Sequence, residues 1–389
     1  MPRGYKKAKT AGAARPARQF RFDESLALFQ YMLSLFGCTS LDSLCEGMKD
    51  ETWEGWDEQN ISRYYYFLTT RLFEYPGITK EQLLRYDQNI TSQTMAISGR
   101  RGAFRWKYFQ YMALLFSEIY LDKYFNDPQG LLDGLNAQVT LLNSEREAAD
   151  KLPSYVLDDL NKVAFWQATG SGKTLIMHVN ILQYRHYLEK AGEHATLNRV
   201  ILLTPNEGLS EQHNGEFKLS SMPADIFNKE SGSLYAGQEI SIIDIHKLKE
   251  EGKEKTVSVD AFESNNLVLV DEGHRGAGGE EWMDKRNRLC SEGFSFEYSA
   301  TFGQAMKASG KKEMLHLYAK CILFDYSYKY FYGDGYGKEY SILNLAEEQH
   351  EEQRQLYLTA CLLAFYQQLK VYDGKKRELV PFNVEEPLW

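Results

Sequence analysis

The spacing of apolar residues changes within the first half of this chain of 389 residues. Between Phe22 and Asn143, apolar and aromatic side chains recur every three or four positions, as expected for amphipathic helices. Pro76 and Pro128 interrupt this pattern and separate one helix from the next. We therefore predict a helical N-terminal domain over residues 23–145. Its clearest apolar face carries Phe109, Met112, Leu115 and Phe116.

Beyond Lys162, short apolar runs alternate with helical stretches. Nearly continuous apolar strands separated by helices are typical of a parallel sheet that is buried on both faces. The pattern therefore predicts an α/β fold over residues 146–345, a parallel sheet with helices on both faces. Six runs are visible, at residues 163–166, 200–203, 240–243, 267–270, 294–298 and 321–324.

The last part of the chain, residues 346–389, has a different pattern. A long amphipathic helix is predicted after Asn344, because apolar residues recur on one helical face. A polar stretch at 373–378 follows before the final residues. The apolar face consists of Leu358, Leu362, Phe365 and Leu369.

Charge is distributed unevenly along the chain. The net charge of −9 argues against a protein that coats nucleic acid over its whole surface. Residues 1–22 nevertheless contain seven Lys or Arg residues after Met1 and no acidic residue. We interpret this segment as a basic, disordered tail that keeps the protein in solution, with phosphate contacts as the alternative.

Cysteine usage and hydropathy bear on the compartment. The five cysteines form no Cys-x-x-Cys pair, which is typical of reduced thiols in the cytosol. No apolar stretch has the length of a membrane helix or the character of a secretory signal. We therefore expect a cytoplasmic protein without a membrane partner.

A phosphate-binding loop is predicted at residues 167–174, between a strand and a helix. Its glycines let backbone N–H groups turn toward phosphate oxygens, and the helix start favours an anion. Lys173 would reach the β- and γ-phosphates of ATP, and the Thr174 hydroxyl would ligate Mg²⁺. The candidate nucleotide-binding residues are Ala168, Thr169, Gly170, Ser171, Gly172, Lys173 and Thr174.

Two carboxylates follow the apolar run at residues 267–270. Asp271, at the predicted strand end, is our candidate for holding the Mg²⁺ shell. Glu272 is the candidate to orient and deprotonate the attacking water. An acidic pair after a strand is common on protein surfaces, but strand ends beside a phosphate loop are where α/β sheets place such groups.

Four segments in order resemble the motifs of superfamily 2 helicases. Gln167 replaces the first glycine of the strict phosphate-loop pattern, a departure that this superfamily tolerates. The sequence Asp-Glu-Gly-His at 271–274 resembles its DEAD/DEAH box. The sequence Ser-Ala-Thr at 299–301 resembles the third motif, which couples hydrolysis to nucleic-acid contact. The resemblance implies coupling roles for Ser299, Ala300, Thr301 and His274.

The same resemblance extends to nucleic-acid contacts. The sequence Leu-Thr-Pro at 203–205, followed by Leu209 and Gln212, resembles motif Ia, which touches strand phosphates. The segment 243–248 lies where a further contact segment is expected. The implied contact residues are Thr204, Pro205, Gln212 and His246.

Among superfamily 2 proteins, the chain is most similar to the motor subunits of type I and type III restriction enzymes. The loop and the Phe-Tyr-Gly-Asp-Gly-Tyr-Gly segment at 331–337 carry this similarity, which covers about residues 105–389. It implies a RecA-like ATP-binding lobe and adenine recognition by a glutamine ahead of the loop. Gln110 is the candidate, with a polar residue on a helix surface as the alternative.

The resemblance also implies a second RecA-like lobe, for which the sequence shows no Gln-x-x-Gly-Arg-like motif. We therefore expect residues 346–389 to be a helix and linker leading toward that lobe. Three hypotheses about the function follow. The first is a Mg²⁺- and ATP-dependent motor lobe on DNA, with RNA not excluded, in restriction or phage defence. The second is an ATP- and DNA-binding subunit that is silent until a partner supplies the second lobe. The third, a small-molecule kinase, is disfavoured by the motifs at 271–274 and 299–301.

Overall fold

In the computed structural model, the described residues are 21–71, 77–102, 104–193, 196–227, 240–248, 258–272, 280–337, 351–379 and 386. The chain divides into two compact units, residues 1–337 and residues 338–389. The first unit contains the phosphate-loop segment and every strand described below.

A seven-stranded parallel sheet lies at the centre of the first unit, in the order β3-β4-β2-β5-β6-β1-β7. The six predicted runs each coincide with one of its strands. The sequence pattern missed β3, a three-residue strand at the sheet edge. The strands are β1 Lys162–Gln167, β2 Arg199–Thr204, β3 Ala224–Ile226, β4 Ile240–Asp244, β5 Asn266–Asp271, β6 Phe294–Ser299 and β7 Ile322–Tyr326.

Both faces of the sheet are buried around β2, β4 and β5, because alternate residues of these strands enter different apolar clusters. In β5, Leu267 and Leu269 belong to the larger cluster, whereas Val268 and Val270 belong to a smaller one. Successive side chains of a strand point to opposite faces, so a sheet covered on both sides needs a continuous apolar run. The predicted α/β fold with helices on both faces is confirmed.

The helices before β1 pack directly on the sheet. α5 contacts β7 and α7, and α1 contacts β7, α6 and α11. The ring of Phe324 in β7 lies 5.7 Å from that of Phe116 and 6.0 Å from that of Phe29. These helices are α1 Ala27–Ser34, α2 Leu41–Cys45, α3 Arg63–Arg71, α4 Lys80–Ser98, α5 Tyr108–Asn126 and α6 Pro128–Asn143.

The helices that follow β1 complete the two layers. α7 is buried nearly all round, because α4 and α5 cover the side that faces away from the sheet. On the sheet side, the ring of Tyr184 lies 5.4 Å from that of Phe294 in β6. These helices are α7 Lys173–Lys190, α8 Glu207–Leu219, α9 Glu280–Leu289, α10 Phe302–Ser309, α11 Lys312–Cys321 and α12 Tyr328–Gly333.

A buried polar network joins β6, α7 and α5. The Tyr298 hydroxyl donates to Asn180 Oδ1 at 2.7 Å, and Asn180 Nδ2 donates to Ser117 Oγ at 2.9 Å. Further along α7, the Tyr187 hydroxyl donates to Glu118 Oε2 at 2.7 Å. Burial raises the pKa of Glu118 to about 7, although hydrogen bonds from neighbouring side chains act in the opposite direction. The phosphate-loop helix is therefore fixed through polar as well as apolar contacts.

The strand register brings the carboxyl ends of five strands to one edge. Asp271 of β5 is level with Tyr298 of β6, and Ser299 is level with Trp166 of β1. On the other side of β5, Thr204 of β2 is level with Asp244 of β4. Ligands of open α/β sheets bind outside the carboxyl ends of the strands, so this edge is the expected place for a site.

The described part of the second unit is chiefly one helix, α13 Glu351–Leu379, which agrees with the helix predicted after residue 344. Leu358 and Leu362 of the predicted apolar face are exposed, whereas Phe365 and Leu369 are half-buried. Within the described ranges, no helix has the length and apolar character needed to span a membrane. The basic tail, residues 1–20 of the predicted 1–22, lies outside the described residues.

Candidate functional site

The phosphate loop leaves β1 and turns sharply into α7. Gly170 and Gly172 have φ angles of +83° and +89°, a conformation that strains any residue with a Cβ atom. At Gly172 a Cβ atom would also lie 2.4 Å from Gln110 Nε2. The Ala168 N–H donates to the Tyr326 carbonyl at 3.0 Å, which fixes the start of the loop against β7. Both glycines are therefore required by the shape of the loop.

Lys173, the first residue of α7, faces the interior of the loop. Its ammonium group lies 3.3 Å from both the Gln167 and the Ala168 carbonyl oxygens, to which it donates. Burial lowers the pKa of Lys173, and the nearby carboxylates of Glu272 and Asp271 oppose that shift. The charge of Lys173 therefore interacts with those of the acidic pair at the same edge of the sheet, although about 100 residues separate them in the sequence.

Polar atoms without internal partners line the loop. Gln167 and Ser171 are almost fully buried, and Gln167 Oε1, Gln167 Nε2 and Ser171 Oγ have no hydrogen-bond partner within the described ranges. Such buried polar atoms are costly unless a ligand or water satisfies them. Thr174 and Asp271 supply the hydroxyl and carboxylate oxygens that Mg²⁺ prefers. The donor set and the glycine cradle therefore fit a Mg²⁺-bound triphosphate.

Gln110 lies against the phosphate loop although 57 residues separate it from Gln167 in the sequence. Its Nε2 donates to the Ser171 carbonyl at 2.8 Å, and its Oε1 accepts from the Lys107 N–H at 2.9 Å. The second contact caps the start of α5. The predicted glutamine is thus placed beside the loop, with its amide orientation set by these two contacts.

The acidic pair lies at the end of β5. Glu272 adopts a left-handed backbone conformation with φ +57°, and its N–H donates to Asp271 Oδ1 at 3.1 Å. Asp271 Oδ2 lies 2.9 Å from His213 Nε2 on α8. The left-handed turn at Glu272 follows directly on the last residue of β5, Asp271. His274, the last residue of the predicted box, lies outside the described residues.

The third predicted motif contacts the strand that precedes the phosphate loop. Ser299 is buried at the end of β6, and its Oγ accepts from the Thr301 N–H at 3.1 Å. The Trp166 indole N–H donates to the Ala300 carbonyl at 3.2 Å. A Cβ atom at Gly303 would lie 2.6 Å from the Trp166 ring. Residues 299–301 are therefore in direct contact with β1, one residue before the loop.

The predicted nucleic-acid residues differ widely in exposure. Thr204 is 1% exposed, and its hydroxyl lies 2.6 Å from Ser210 Oγ, so this side chain is engaged inside the protein. Pro205 is half-buried, whereas Gln212 and His246 are exposed. These residues lie at and after the ends of β2 and β4, which form the candidate nucleic-acid half of the carboxyl edge. The ends of β1, β5 and β6, with the phosphate loop, form its candidate nucleotide half.

Two features of the site escaped the sequence analysis. His213 was missed because it is a single histidine in a helix, although Ser210, His213 and Phe217 share one buried face at helical spacing. The segment 331–337 was noted only for its resemblance. Asp334 in it accepts hydrogen bonds from Tyr108, from Tyr326 at 2.6 Å and from Lys49 at 2.6 Å.

Comparison with known proteins agrees with this geometry. Residues 138–304 match the family model described as type III restriction enzyme, res subunit. No curated protein matches the chain. This family match confirms the resemblance to superfamily 2 motors and identifies a Res-like first lobe. Residues 138–304 thus belong to a RecA-like domain of the helicase ATPase type.

Three solved structures show distant similarity, each with a TM-score of 0.29. The Sulfolobus solfataricus SWI2/SNF2 ATPase core in complex with dsDNA is 12% identical over 41% of this chain and 32% of that chain. The crystal structure of T4 UvsW is 16% identical over 54% of this chain and 44% of that chain. The crystal structure of the UvsW helicase from bacteriophage T4 is 14% identical over 74% of this chain and 94% of that chain. The chain therefore spans less than half the length of the first two.

Proposed function

We propose that this chain is the ATP-binding and ATP-hydrolysing lobe of a DNA helicase or translocase of the restriction-enzyme type. The observation that carries the proposal is the convergence of Lys173, Asp271 and Glu272 at one edge of the sheet, beside a glycine cradle lined by unpartnered polar atoms. The match of residues 138–304 supports the same class of protein.

Each residue of this cluster has a distinct chemical role. Lys173 would leave the loop carbonyls and bind the β- and γ-phosphates. Thr174 and Asp271 would hold Mg²⁺, which neutralises charge on the phosphates when it is bound. Glu272 would orient the attacking water and accept its proton. Different backbone positions support this division, because Asp271 is the last residue of β5 whereas Glu272 lies in the left-handed turn that follows it.

Gln110 is proposed to recognise adenine from its position on α5, beside the phosphate loop. Its side-chain amide already contacts the Ser171 carbonyl, so adenine binding would require the amide to share or exchange one hydrogen bond. This would make base recognition and loop position dependent on each other.

The adjoining half of the edge is proposed to bind nucleic acid. The exposed side chains of Gln212 and His246, with the turn that contains Thr204 and Pro205, would contact phosphates. Ser299, Ala300, Thr301 and His274 would couple these contacts to hydrolysis. We propose DNA as the substrate, within a restriction or phage-defence system, because the matched family is a restriction subunit.

Efficient hydrolysis would also need arginines from a second RecA-like lobe. Such arginines stabilise charge on the transferring phosphoryl group and raise turnover by about 10³–10⁵ in related reactions. The chain alone is therefore expected to bind ATP and to hydrolyse it slowly. In the alternative form of the proposal, it is silent until a restriction or defence partner supplies that lobe.

Steady-state ATPase measurements test the proposal. Residues 1–389 would be assayed with Mg²⁺ alone, then with single-stranded DNA, double-stranded DNA or RNA, and then with a second-lobe polypeptide added in trans. We expect slow turnover alone and strong stimulation by the second lobe with DNA. Stimulation by RNA only would reject the DNA assignment, and fast turnover of the chain alone would reject the need for a second lobe.

A further inference from the structure

Helix α8 connects the two halves of the carboxyl edge. It begins directly after the turn that contains Thr204 and Pro205, and Asn206 caps it by accepting from the Leu209 N–H at 2.9 Å. Its buried face carries His213, whose Nε2 lies 2.9 Å from Asp271 Oδ2 in β5. One helix thus links the proposed nucleic-acid turn to the proposed Mg²⁺ carboxylate.

The Asp271 carboxylate is held on both oxygens. Oδ1 accepts from the Glu272 N–H at 3.1 Å, and Oδ2 faces His213. His213 is 4% exposed, and its Nδ1 has no hydrogen-bond partner among the residues that the structure describes. Its one polar contact in the described structure is therefore the carboxylate, which is the arrangement of a residue that orients a metal ligand.

The C-terminal half of α8 is anchored to the helical region. Arg101, just after α4, donates to the Glu216 carbonyl at 2.6 Å, to Glu216 Oε2 at 2.5 Å and to Ser220 Oγ at 3.0 Å. His178 of α7 lies 2.8 Å from the same Ser220 Oγ and stacks on Phe217 with ring centroids 4.2 Å apart. With this end fixed, a displacement of the N-terminal turn would rotate or shift the helix at His213.

We propose that His213 is a positioning residue that links nucleic-acid contact at the start of α8 to the orientation of Asp271. The inference rests on the proposed nucleotide and nucleic-acid sites. In the structure, His213 and the backbone N–H of Glu272 hold the Asp271 carboxylate. Contact of the turn with nucleic acid changes the His213–Asp271 geometry and thereby the affinity of the nucleotide site for Mg²⁺.

The test measures binding of a fluorescent ATP analogue as Mg²⁺ is titrated, with and without single-stranded DNA. The proteins are the parent chain, His213→Ala, His213→Gln and the matched control Lys218→Gln, which alters an exposed residue of the same helix. Binding of the analogue in EDTA reports the phosphate loop alone and shows whether each variant is folded.

In the parent and in Lys218→Gln, DNA is expected to lower the Mg²⁺ concentration for half-maximal binding by about fivefold. His213→Ala should raise that concentration by about tenfold without DNA and should lose most of the DNA effect. His213→Gln should restore both the parental Mg²⁺ concentration for half-maximal binding and the effect of DNA on it, because the glutamine amide can donate to Asp271. Binding in EDTA should be the same in all four proteins.

The outcomes separate the inference from the proposed function. If the parent binds nucleotide and DNA but His213→Ala keeps the parental Mg²⁺ and DNA dependence, the positioning role is wrong and the proposed function stands. If His213→Gln is folded by the EDTA criterion yet behaves as His213→Ala, the loss reflects packing and the role is again wrong. If the parent binds no nucleotide, the proposed function fails and the inference fails with it.

Discussion

Around the phosphate loop at the end of β1, buried polar side chains have no protein partner in the described structure, whereas around β2 and β4 the polar side chains are hydrogen-bonded within the fold. Gln167 and Ser171 illustrate the first half, with three buried side-chain atoms unpartnered in the described structure. Thr204 and Asp244 illustrate the second. The Thr204 hydroxyl contacts Ser210, and Asp244 Oδ1 accepts from the His246 N–H at 2.9 Å.

This difference indicates two kinds of site. We propose that the backbone of the nucleotide half is preorganised, because the conformation of its glycines and its buried polar side chains fit a triphosphate. The nucleic-acid half would act through exposed side chains and backbone groups on a well-satisfied scaffold. Changes in the nucleotide half should therefore alter function strongly, and changes in the nucleic-acid half should divide between stability and affinity.

The largest effect is expected for Glu272→Gln. The amide keeps the shape of the side chain but cannot accept a proton, so ATP turnover should fall by roughly 10²–10⁴. Binding of the fluorescent ATP analogue with Mg²⁺ should be unchanged. Steady-state ATPase would be measured under conditions that activate the parent. A variant that hydrolyses ATP at the parental rate would remove Glu272 from the mechanism.

Lys173→Ala should have the next largest effect, on affinity for nucleotide. Loss of a charge-assisted contact with the phosphates should weaken binding by up to about 10². The fold should survive, because the lysine donates only to two loop carbonyls in the described structure. Analogue titration measures the affinity, and circular dichroism serves as the control. Parental affinity in a folded variant would contradict the assignment of the cradle.

The buried network beneath the nucleotide half predicts a dependence of stability on pH. Because the folded protein raises the pKa of Glu118 from 4.5 to about 7, it holds this proton more tightly than the unfolded chain does. The associated stability is complete below about pH 4.5 and is lost as pH rises toward 7, a change of about 3 kcal/mol. Urea unfolding at several pH values measures it.

Glu118→Gln is the matched variant for this dependence, because it cannot ionise. The loss of stability between pH 5 and 8 should become smaller, with a remainder from Asp87 and Asp325, whose pKa values burial raises to about 6. A variant with the full parental pH dependence would show that Glu118 ionises freely in the folded protein.

The smallest effects belong to the nucleic-acid half. Thr204→Val removes a buried hydroxyl and should lower the free energy of unfolding by about 1 kcal/mol without changing DNA affinity. His246→Ala should do the reverse, with stability unchanged and DNA affinity weakened roughly threefold. Denaturant unfolding and DNA anisotropy separate the two quantities. A loss of DNA affinity in Thr204→Val alone would contradict the division drawn between the two halves.

Sequence alone predicted those parts of the site that depend on local chain shape. The glycines at 170 and 172, the lysine that follows them and the acids at the end of an apolar run are visible because each needs a fixed spacing. The six longer strands were visible for the same reason, since burial on both faces demands continuous apolar runs. β3 was not, because a three-residue edge strand leaves no such pattern.

Contacts between distant segments could not be predicted in this way. His213 faces Asp271 across 58 residues, and Arg101 reaches Glu216 across 115. The helical spacing of Ser210, His213 and Phe217 does indicate a buried face, but not which strand it meets. The exposure of Gln212 and the burial of Thr204 are likewise set by packing, although both belong to one sequence motif.

The helices before β1 share their core with the sheet, and this determines how the first unit comes apart. Phe116 and Phe29 pack on Phe324 of β7, so the helices cannot leave without exposing an apolar face of the sheet to water. Regions that share a core open together, and their backbone amides exchange with solvent at a common free energy. The described parts of the first unit should therefore melt in one transition rather than as a helical part and a sheet part.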